Sequence, residues 1–384
     1  SFPYYFNIAI DKELLLTPII NYGGGVDSSQ RFVFDYNQIL SGGNFKTDLT
    51  FDSNFENQNN NKWLTDASLI TNFNKNLNKN YRIEINSALQ TSKNYIQKTK
   101  PNDELSYKNS LSTNINLEGF NLRKFDDYLN ISVNYYQTNQ ENEDNKTTPT
   151  VFPKIKYHTG YFNKNGNISN STYEFYNISR EKSNLVHAKN QQKISHKYNI
   201  KKEFINYNSK ILLNAEIYNQ GFNTEKKLIE GNHYKTGSYY RFFPIFGIGS
   251  ETPLKIKKYF PNLTLNPKIN LVLAPGISNS NKLSNEDSTN NDFSIENIDR
   301  LNRYSGSDKL DNSKRITYSI NAYTDNFKSS LSQSYEFTNN SNFHKEQGND
   351  DNLSDILGSI EYLNDSELSY EFRYDLNDEY LKKQ

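Results

Sequence analysis

The feature that most constrains the fold is an alternation of apolar and polar residues with a period of two, repeated over long runs. In "YRIEINSALQ", Tyr81, Ile83 and Ile85 share one face of an extended chain, whereas Arg82 and Glu84 share the other. Successive side chains of a strand point to opposite faces, so this pattern predicts β-strands with one apolar and one polar face. Further runs of this kind lie at 45–55, 129–135, 211–217, 316–322 and 367–375.

These runs are long for a soluble domain. Strands of soluble domains usually have about 5 to 6 residues, whereas a tilted strand that crosses a bilayer needs about 9 to 11. Charged residues occupy several successive positions of the polar face, which suits a water-filled lumen better than the outside of a sandwich. We therefore predict an all-β fold, a transmembrane antiparallel up-and-down β-barrel that is incomplete and has roughly 18 strands of a larger barrel.

The predicted connections between these strands are short on one side and long on the other, which is typical of an outer-membrane barrel. Tight turns are expected at 40–43, 122–125 and 163–166. Long connections are expected at 93–108, 140–150, 181–191, 220–237, 275–314 and 339–353. The predicted organisation is a single β-barrel domain over 1–384, truncated at both ends, with a long extracellular loop at 275–314.

Composition limits the alternatives. Only 34% of residues are hydrophobic, but 14% are aromatic, and disordered chains are poor in aromatic residues. Lysine plus arginine equals aspartate plus glutamate at 44 each, so no overall charge would attract nucleic acid. The absence of cysteine excludes disulfides and thiolate metal sites, and no run of about 18 apolar residues predicts a membrane-spanning helix. The chain starts at "SFPYYFNIAI" without a signal peptide, which suggests a fragment of a longer precursor.

No pattern predicts an enzyme. The five histidines are His158, His187, His196, His233 and His344, and none has the Ser or Asp context of a catalytic triad. "NEDSTNND" at 285–292 is rich in oxygen ligands, but it lacks the glycine and terminal glutamate of a calcium loop. The sequence therefore predicts no catalytic residue, no metal and no cofactor.

Three stretches carry motifs of a known family. They are "PYYFNIAIDKELLLTPIINYGGG" at 3–25, "LTLNPKINLVLAPG" at 263–276 and a longer segment at 285–320. They resemble the LPS-assembly outer-membrane protein, the LptD family, also called organic solvent tolerance protein. Within the longest segment the matching positions are Asn285, Asp287, Ser288, Asn302, Arg303, Tyr304, Ser305, Gly306 and Asp308.

The sequence departs from the family pattern at four positions. Asn266 stands where the family commonly has Glu, and Lys268 replaces Arg. Ser307 replaces the usual aromatic residue, and Lys309 replaces Arg. The resemblance implies an integral barrel of about 26 strands in the bacterial outer membrane, which is the upper end of ordinary outer-membrane barrels. Because the run of strands found here is shorter, the family's first and last strands and its lateral opening would lie outside this chain.

The resemblance also implies a function and partners. The family moves lipopolysaccharide to the outer leaflet of the Gram-negative outer membrane without covalent chemistry. The implied partners are lipopolysaccharide, outer-membrane lipids, a plug lipoprotein and a periplasmic LPS-bridge protein that binds a missing N-terminal jelly-roll domain. We expect the loop at 275–314 to fold over or into the barrel mouth and to contact the plug lipoprotein. Residues predicted for that contact are Asn285, Asp287, Asn302, Arg303, Tyr304, Gly306 and Asp308.

Basic residues on the polar faces are candidates for contact with LPS phosphates. The four candidates are Lys46, Arg82, Lys210 and Arg373. The alternative is that they pair with interleaved acids such as Asp48, Glu84 and Glu371. Two further classes of protein remain open: another outer-membrane barrel, such as a porin or a TonB-dependent receptor, and a soluble β-rich binding or adhesion protein.

Overall fold

The computed structural model describes residues 1–21, 29–54, 64–140, 142–255, 262–289, 293–338, 348, 351–363, 367–376 and 380–383. Nearly all regular structure in these residues is β-strand. The strands are β1 (Tyr4–Ala9), β2 (Lys12–Asn21), β3 (Ser29–Leu40), β4 (Gly43–Asn54), β5 (Leu64–Asn76), β6 (Tyr81–Gln90), β7 (Ser110–Phe120), β8 (Tyr128–Thr138), β9 (Thr150–His158), β10 (Phe162–Lys164), β11 (Asn167–Ser179), β12 (Asn190–Asn206), β13 (Ser209–Glu230), β14 (His233–Glu251), β15 (Leu254–Lys255), β16 (Thr264–Leu273), β17 (Lys314–Tyr323), β18 (Phe327–Glu336), β19 (Ile356–Leu363), β20 (Glu367–Asp375) and β21 (Tyr380–Lys383).

The strands pair in an antiparallel, up-and-down order. Consecutive strands are neighbours from β1 to β9 and from β16 to β21, and β14 pairs with β16. The prediction of an all-β, antiparallel up-and-down fold is therefore confirmed. The described residues form 21 strands rather than roughly 18. Three of them, β10, β15 and β21, have two to four residues, which is too short to show an alternating pattern.

The chain comprises two compact units. The first contains Ser1–Gly160, Tyr173–Ile194 and Asn223–Gly237. The second contains Tyr161–Thr172, Ser195–Phe222 and Ser238–Gln384. Helices are confined to short segments among the described residues: α1 (Tyr95–Thr99) and two 3-10 turns at Glu104–Tyr107 and Asn145–Thr147. No helix in the described part of the chain is of a length and hydropathy that would let it span a membrane.

In the first unit, the connection between β6 and β7 is folded onto the polar face of the sheet. Ile96 of α1 is fully buried and packs with Ala88 of β6 and Leu111 of β7. Gln90 fixes the start of the helix, because its Oε1 accepts a hydrogen bond from the Ile96 amide at 3.1 Å. The Gln90 amide group in turn donates to Asn139 Oδ1 at 3.1 Å, which ties two long connections together.

In the second unit, the sheet exposes its apolar face and covers its polar face, which is the reverse of a soluble protein. Along β17, Arg315 and Thr317 are buried, whereas Tyr318 and Ile320 are 41% and 45% exposed. The same contrast holds for exposed Ile269 beside buried Asn270 in β16. Soluble sheets bury their apolar face, so an exposed apolar face and a covered polar face are what a lipid environment requires.

Among the described residues, short turns and long connections alternate as predicted, with one exception; most of the long connection predicted at 339–353 lies outside the described residues. The prediction of a long loop at 220–237 is wrong, because β13 and β14 extend for 22 and 19 residues and meet at a tight turn around Gly231. Residues 220–237 lack the alternation of apolar and polar residues that would predict a strand. Its buried face is formed in part by the polar residues Gln220 and Thr224, which look like loop residues in the sequence.

Candidate functional site

The candidate site is the long connection between β16 and β17, residues 274–313, which lies within the second unit. Its described residues, 274–289 and 293–313, form no helix or strand. Asn, Asp and Ser side chains hold its backbone instead, because their short polar groups can hydrogen-bond to nearby main-chain amides. The segment is therefore ordered by side-chain contacts rather than by regular secondary structure.

Two aspartates join two segments of this loop, residues 285–289 and 305–309. Asp287 Oδ1 accepts hydrogen bonds from the amides of Ser307 at 3.0 Å and Asp308 at 2.8 Å. Asp308 Oδ2 accepts from the amides of Glu286 at 2.7 Å and Asp287 at 3.2 Å. Each carboxylate thus binds the backbone that carries the other. We call this pair the Asp287–Asp308 clasp.

The clasp requires a glycine next to it. A Cβ atom on Gly306 would lie 2.3 Å from the carbonyl oxygen of Asp287 and 2.4 Å from its Oδ1. Asn302 supports the same turn, since its Nδ2 donates to the Gly306 carbonyl at 3.0 Å. Its Oδ1 accepts from the amides of Tyr304 at 3.3 Å and Asp311 at 3.0 Å. Asn302 and Gly306 therefore shape the chain that leads into the clasp.

Asn285 and Ser288 extend the contacts on the other side. Asn285 donates to the Ser288 carbonyl at 2.6 Å and accepts from the Ser288 amide at 3.1 Å. The Ser288 hydroxyl accepts from the Lys309 amide at 2.9 Å. Thr289 and Ser305 add a hydroxyl pair at 2.8 Å. These bonds continue the pairing between 285–289 and 305–309 on both sides of the clasp.

Arg303 lies in a buried ionic cluster that attaches the loop to the sheet. Its Nε donates to Asp311 Oδ2 at 2.6 Å, and its Nη2 donates to Glu336 Oε1 of β18 at 2.6 Å. Arg315 of β17 reaches the same Asp311 oxygen at 3.2 Å, and the Ser313 hydroxyl donates to Glu336 at 2.6 and 2.8 Å. Two guanidinium groups and two carboxylates make the cluster neutral, which lowers the cost of burying it.

The electrostatics follow from this arrangement. Burial opposes the charged form of Arg303, but the carboxylates of Asp311 and Glu336 outweigh it and hold the pKa of Arg303 above its usual value. Burial raises the pKa of the Tyr304 hydroxyl, and the charge of Asp311 adds to that effect. Both residues are therefore held in their ordinary protonation states inside the loop.

A second arginine reaches the loop from the sheet. Arg241 of β14 donates through Nη2 to the carbonyl oxygens of Ser307 at 2.8 Å and Asp308 at 2.9 Å. Its orientation is fixed by Gln220 Oε1 of β13, which accepts from Nε at 2.9 Å and from Nη2 at 2.6 Å. Asn279 Oδ1 accepts from Nη1 at 3.3 Å. Arg241 thus attaches the clasp end of the loop to the polar face.

Apolar contacts complete the attachment. Leu301 and Leu310 of the loop are buried against the sheet face that otherwise carries polar residues. Their partners are Tyr218, Phe243, Ile245, Val272 and Ala274. The loop therefore has its own small core, which accounts for its order despite its polar composition.

All seven loop residues predicted from the sequence, Asn285 to Asp308, lie in this network. Arg303 and Tyr304 are only 2% and 4% exposed, so their side chains are engaged within the chain. Contact of these seven residues with a plug lipoprotein stays a prediction. No local spacing in the sequence relates Arg241, Asp311, Arg315 or Glu336 to Arg303, so these four residues were not predicted.

Three of the four predicted basic residues are ion-paired, and contact of any of them with LPS stays a prediction. Arg82 Nη2 lies 3.3 Å from Glu84, the partner that the alternative interpretation named. Lys210 lies 3.3 Å from Glu203 and 3.7 Å from Glu251, and Arg373 lies 3.4 Å from Asp355 rather than beside Glu371.

Lys46 differs from the other three. It is exposed, and within the described residues it forms no ion pair. Asp48, its suggested partner, is paired with Lys100.

Among the described residues, no group of three or more His, Cys, Asp or Glu is placed to hold a metal ion.

Comparison with known proteins decides the family. A family model described as LptD, LPS transport system D, matches residues 61–383, which is more than four-fifths of the chain. The chain belongs to the LptD family. The resemblance predicted from the three motifs is confirmed. As a member of the LptD family, the chain is an integral outer-membrane β-barrel protein that functions in LPS assembly, and the porin, TonB-receptor and soluble alternatives are set aside.

Solved structures add three similar outer-membrane proteins, all at 8–9% identity. OccK8 (OprE) of Pseudomonas aeruginosa has a TM-score of 0.37, with 95% of this chain and 93% of that chain covered. The alcaligin receptor FauA of Bordetella pertussis has a TM-score of 0.33, with 96% and 67% covered. The ferric citrate transporter FecA has a TM-score of 0.24, with 94% and 60% covered. No curated protein sequence matches the chain.

Proposed function

We propose that the polar face of the strands forms the wall of a wet passage for the sugar portion of LPS, while the apolar face contacts outer-membrane lipids. The observation that carries this proposal is the alternation in the second unit, where buried Arg315 and Thr317 are interleaved with exposed Tyr318 and Ile320. Lipid cannot solvate charged side chains, so only the polar face suits sugars and phosphates. The family assignment supplies the substrate class.

The loop at 275–314 would be extracellular, because it is the longest connection on the side that carries the long connections. Its attachment to the polar face through Arg241 and Arg303 supports a role in narrowing the passage from outside. A plug lipoprotein would contact this loop along the segments that carry the seven predicted residues, where Asn285 and Asn302 are partly exposed and the buried Arg303 and Tyr304 shape the surface from within. Arg303 and Tyr304 would then act as positioning residues.

The remaining partners follow from the family alone. A periplasmic LPS-bridge protein would deliver LPS through a jelly-roll domain upstream of residue 1, and the described strands would belong to one barrel domain over 1–384. The upstream jelly-roll domain and the single barrel domain can both be tested by reading the sequence of the complete protein. An upstream domain of another fold would contradict them.

Two adjacent residues of β17 test the passage. A photo-cross-linking amino acid at Asn321, on the polar face, is expected to capture LPS in intact cells that export it, whereas the same group at Ile320 is expected to capture several-fold less. The two positions share depth, and both lie in the half of β17 next to the short turn to β18. In the proposed orientation this half is remote from the outer leaflet, so LPS already in the membrane is not sampled at Ile320.

The measurement is the yield of LPS-bound protein on an immunoblot, with the full-length protein and its partners present. Equal yields at the two positions, or capture at Ile320 alone, would contradict a passage along the polar face. A cross-linker at Leu212 of β13, also on the polar face, provides a second position near the same end of the strands.

A further inference from the structure

A row of alternating charges crosses β12, β13 and β14 on their polar face, within the second unit. Glu203 lies 2.5 Å from Lys201 on its own strand and 3.3 Å from Lys210 on β13. Lys210 also lies 3.7 Å from Glu251 on β14. We call these four residues the charge row. Each glutamate therefore faces a lysine across a strand boundary, and Glu203 contacts both lysines.

The charge row is accessible to water. The side chains of Lys201 and Lys210 are 48% and 44% exposed, and that of Glu203 is 35% exposed. The row lies near the tight turn between β12 and β13, whereas Gln220, which helps anchor the loop, lies ten residues further along β13. Solutes on the polar face can thus reach these groups without displacing the folded loop.

A neighbouring ion pair, Lys197 with Glu216, is held by additional contacts that the charge row lacks in the described part of the chain. Lys197 lies 2.9 Å from Glu216 and 5.0 Å from the ring centroid of Tyr218. The Tyr218 hydroxyl also donates to Glu216 at 2.5 Å. Glu216 is therefore held by two groups and Lys197 by a ring as well as a carboxylate. No such ring or hydroxyl contact is found at Glu203 within the described structure.

Exposed ion pairs contribute little to stability, so an incoming anion can replace a carboxylate at small cost. A phosphate carries up to about two negative charges and several strong acceptor oxygens, which makes it a better partner for two lysines than one carboxylate is. Glu203 stays tethered beside both lysines at a high effective concentration, so it returns as soon as the anion leaves.

We propose that Glu203, Lys201 and Lys210 form an exchange site for phosphate groups of the transported glycolipid. The phosphate displaces the Glu203 carboxylate from both lysines, and the tethered carboxylate then displaces the phosphate, so that contact is transient and export continues. Glu203 is thereby the residue that sets how long a phosphate stays. This inference rests on the proposed passage along the polar face.

The test uses the purified full-length protein with its lipoprotein partner and a photo-cross-linker at Leu212, two residues from Lys210 on the same face. Glu203→Gln is expected to raise the cross-linking yield of purified LPS by about fivefold, the effect of one exposed ion pair. Lys201→Gln with Lys210→Gln is expected to lower the yield below that of the unmodified protein. Chemically dephosphorylated LPS is expected to give the same yield in all backgrounds.

Controls separate the exchange site from other effects. Glu361→Gln releases Lys328, a single exposed lysine of another pair in the same unit, and is expected to leave the yield at Leu212 unchanged. Folding of each variant is checked by its heat-modifiable mobility in gel electrophoresis. A Glu203→Gln effect that persists with dephosphorylated LPS would show that the anion is not phosphate and would overturn the proposal.

The failure of this proposal is distinguishable from that of the passage itself. Equal yields for the unmodified protein, Glu203→Gln and the double lysine variant, with Asn321 still capturing LPS, would overturn the exchange site and leave the passage standing. No capture at Leu212 or at Asn321 in any background would overturn both.

Discussion

Replacing Arg303 by methionine is expected to lower the free energy of unfolding by about 3–5 kcal/mol, because the change leaves the buried carboxylates of Asp311 and Glu336 without their shared cation. Both acids lie within 2.6 Å of guanidinium nitrogens of Arg303. Methionine keeps much of the side-chain volume, so the loss measures charge rather than a cavity. The readout is the urea midpoint of the heat-modifiable band of the full-length protein in membranes.

Matched variants identify the cause. Lys328→Met removes an exposed pair with Glu361 and is expected to cost at most about 1 kcal/mol. Arg303→Lys is expected to recover only part of the loss, because one ammonium cannot reproduce bonds from two guanidinium nitrogens to two acids. Combining Arg303→Met with Glu336→Gln is expected to be less destabilising than the sum of the two single changes. An Arg303→Met protein as stable as the parent would contradict a structural role for the buried cluster.

Replacing Gly306 by alanine is expected to open the Asp287–Asp308 clasp. The new Cβ would lie 2.3 Å from a main-chain oxygen, which cannot move without shifting the 285–288 segment. Forcing an extra carbon into a packed site costs about 1–3 kcal/mol. The expected result is new protease cleavage within 274–313 in intact cells, where the loop would be reached from outside, and a reduced LPS level at the surface.

Gly221 supplies the control for this change. A Cβ at Gly221 meets no atom within 4 Å, and the residue lies on β13 in the same unit. Gly221→Ala is therefore expected to leave both the protease pattern and the urea midpoint unchanged. Cleavage in both variants, or in neither, would show that the close approach of Gly306 to Asp287 does not hold the loop.

The ionic partners of the predicted basic residues show where sequence reasoning reached its limit. The pairing of Arg82 with Glu84 could be predicted, because two positions on one strand face are neighbours whatever the fold. The pairing of Lys210 with Glu251 and of Arg373 with Asp355 could not, since it depends on which strand or loop lies beside β13 and β20. The hairpin of β13 and β14 was missed for a related reason: its buried face is partly polar, so burial there is a consequence of its neighbours.

The sequence by itself determined most of the strands, their two unlike faces and the irregular character of the loop. Alternation with a period of two is local because it needs only successive residues, and the abundance of Asn, Asp and Ser marks the loop because these side chains can bind main-chain amides in place of regular structure. The motif from Asn302 to Asp308 could likewise be recognised from the sequence alone. Only the tertiary structure decided that Arg303 meets Glu336, that Arg241 holds the clasp and that Glu203 serves two lysines. Those contacts join residues on different strands and loops. A shift of strand register by two residues keeps every side chain on the same face but changes its partners, so the alternation within one strand does not specify them.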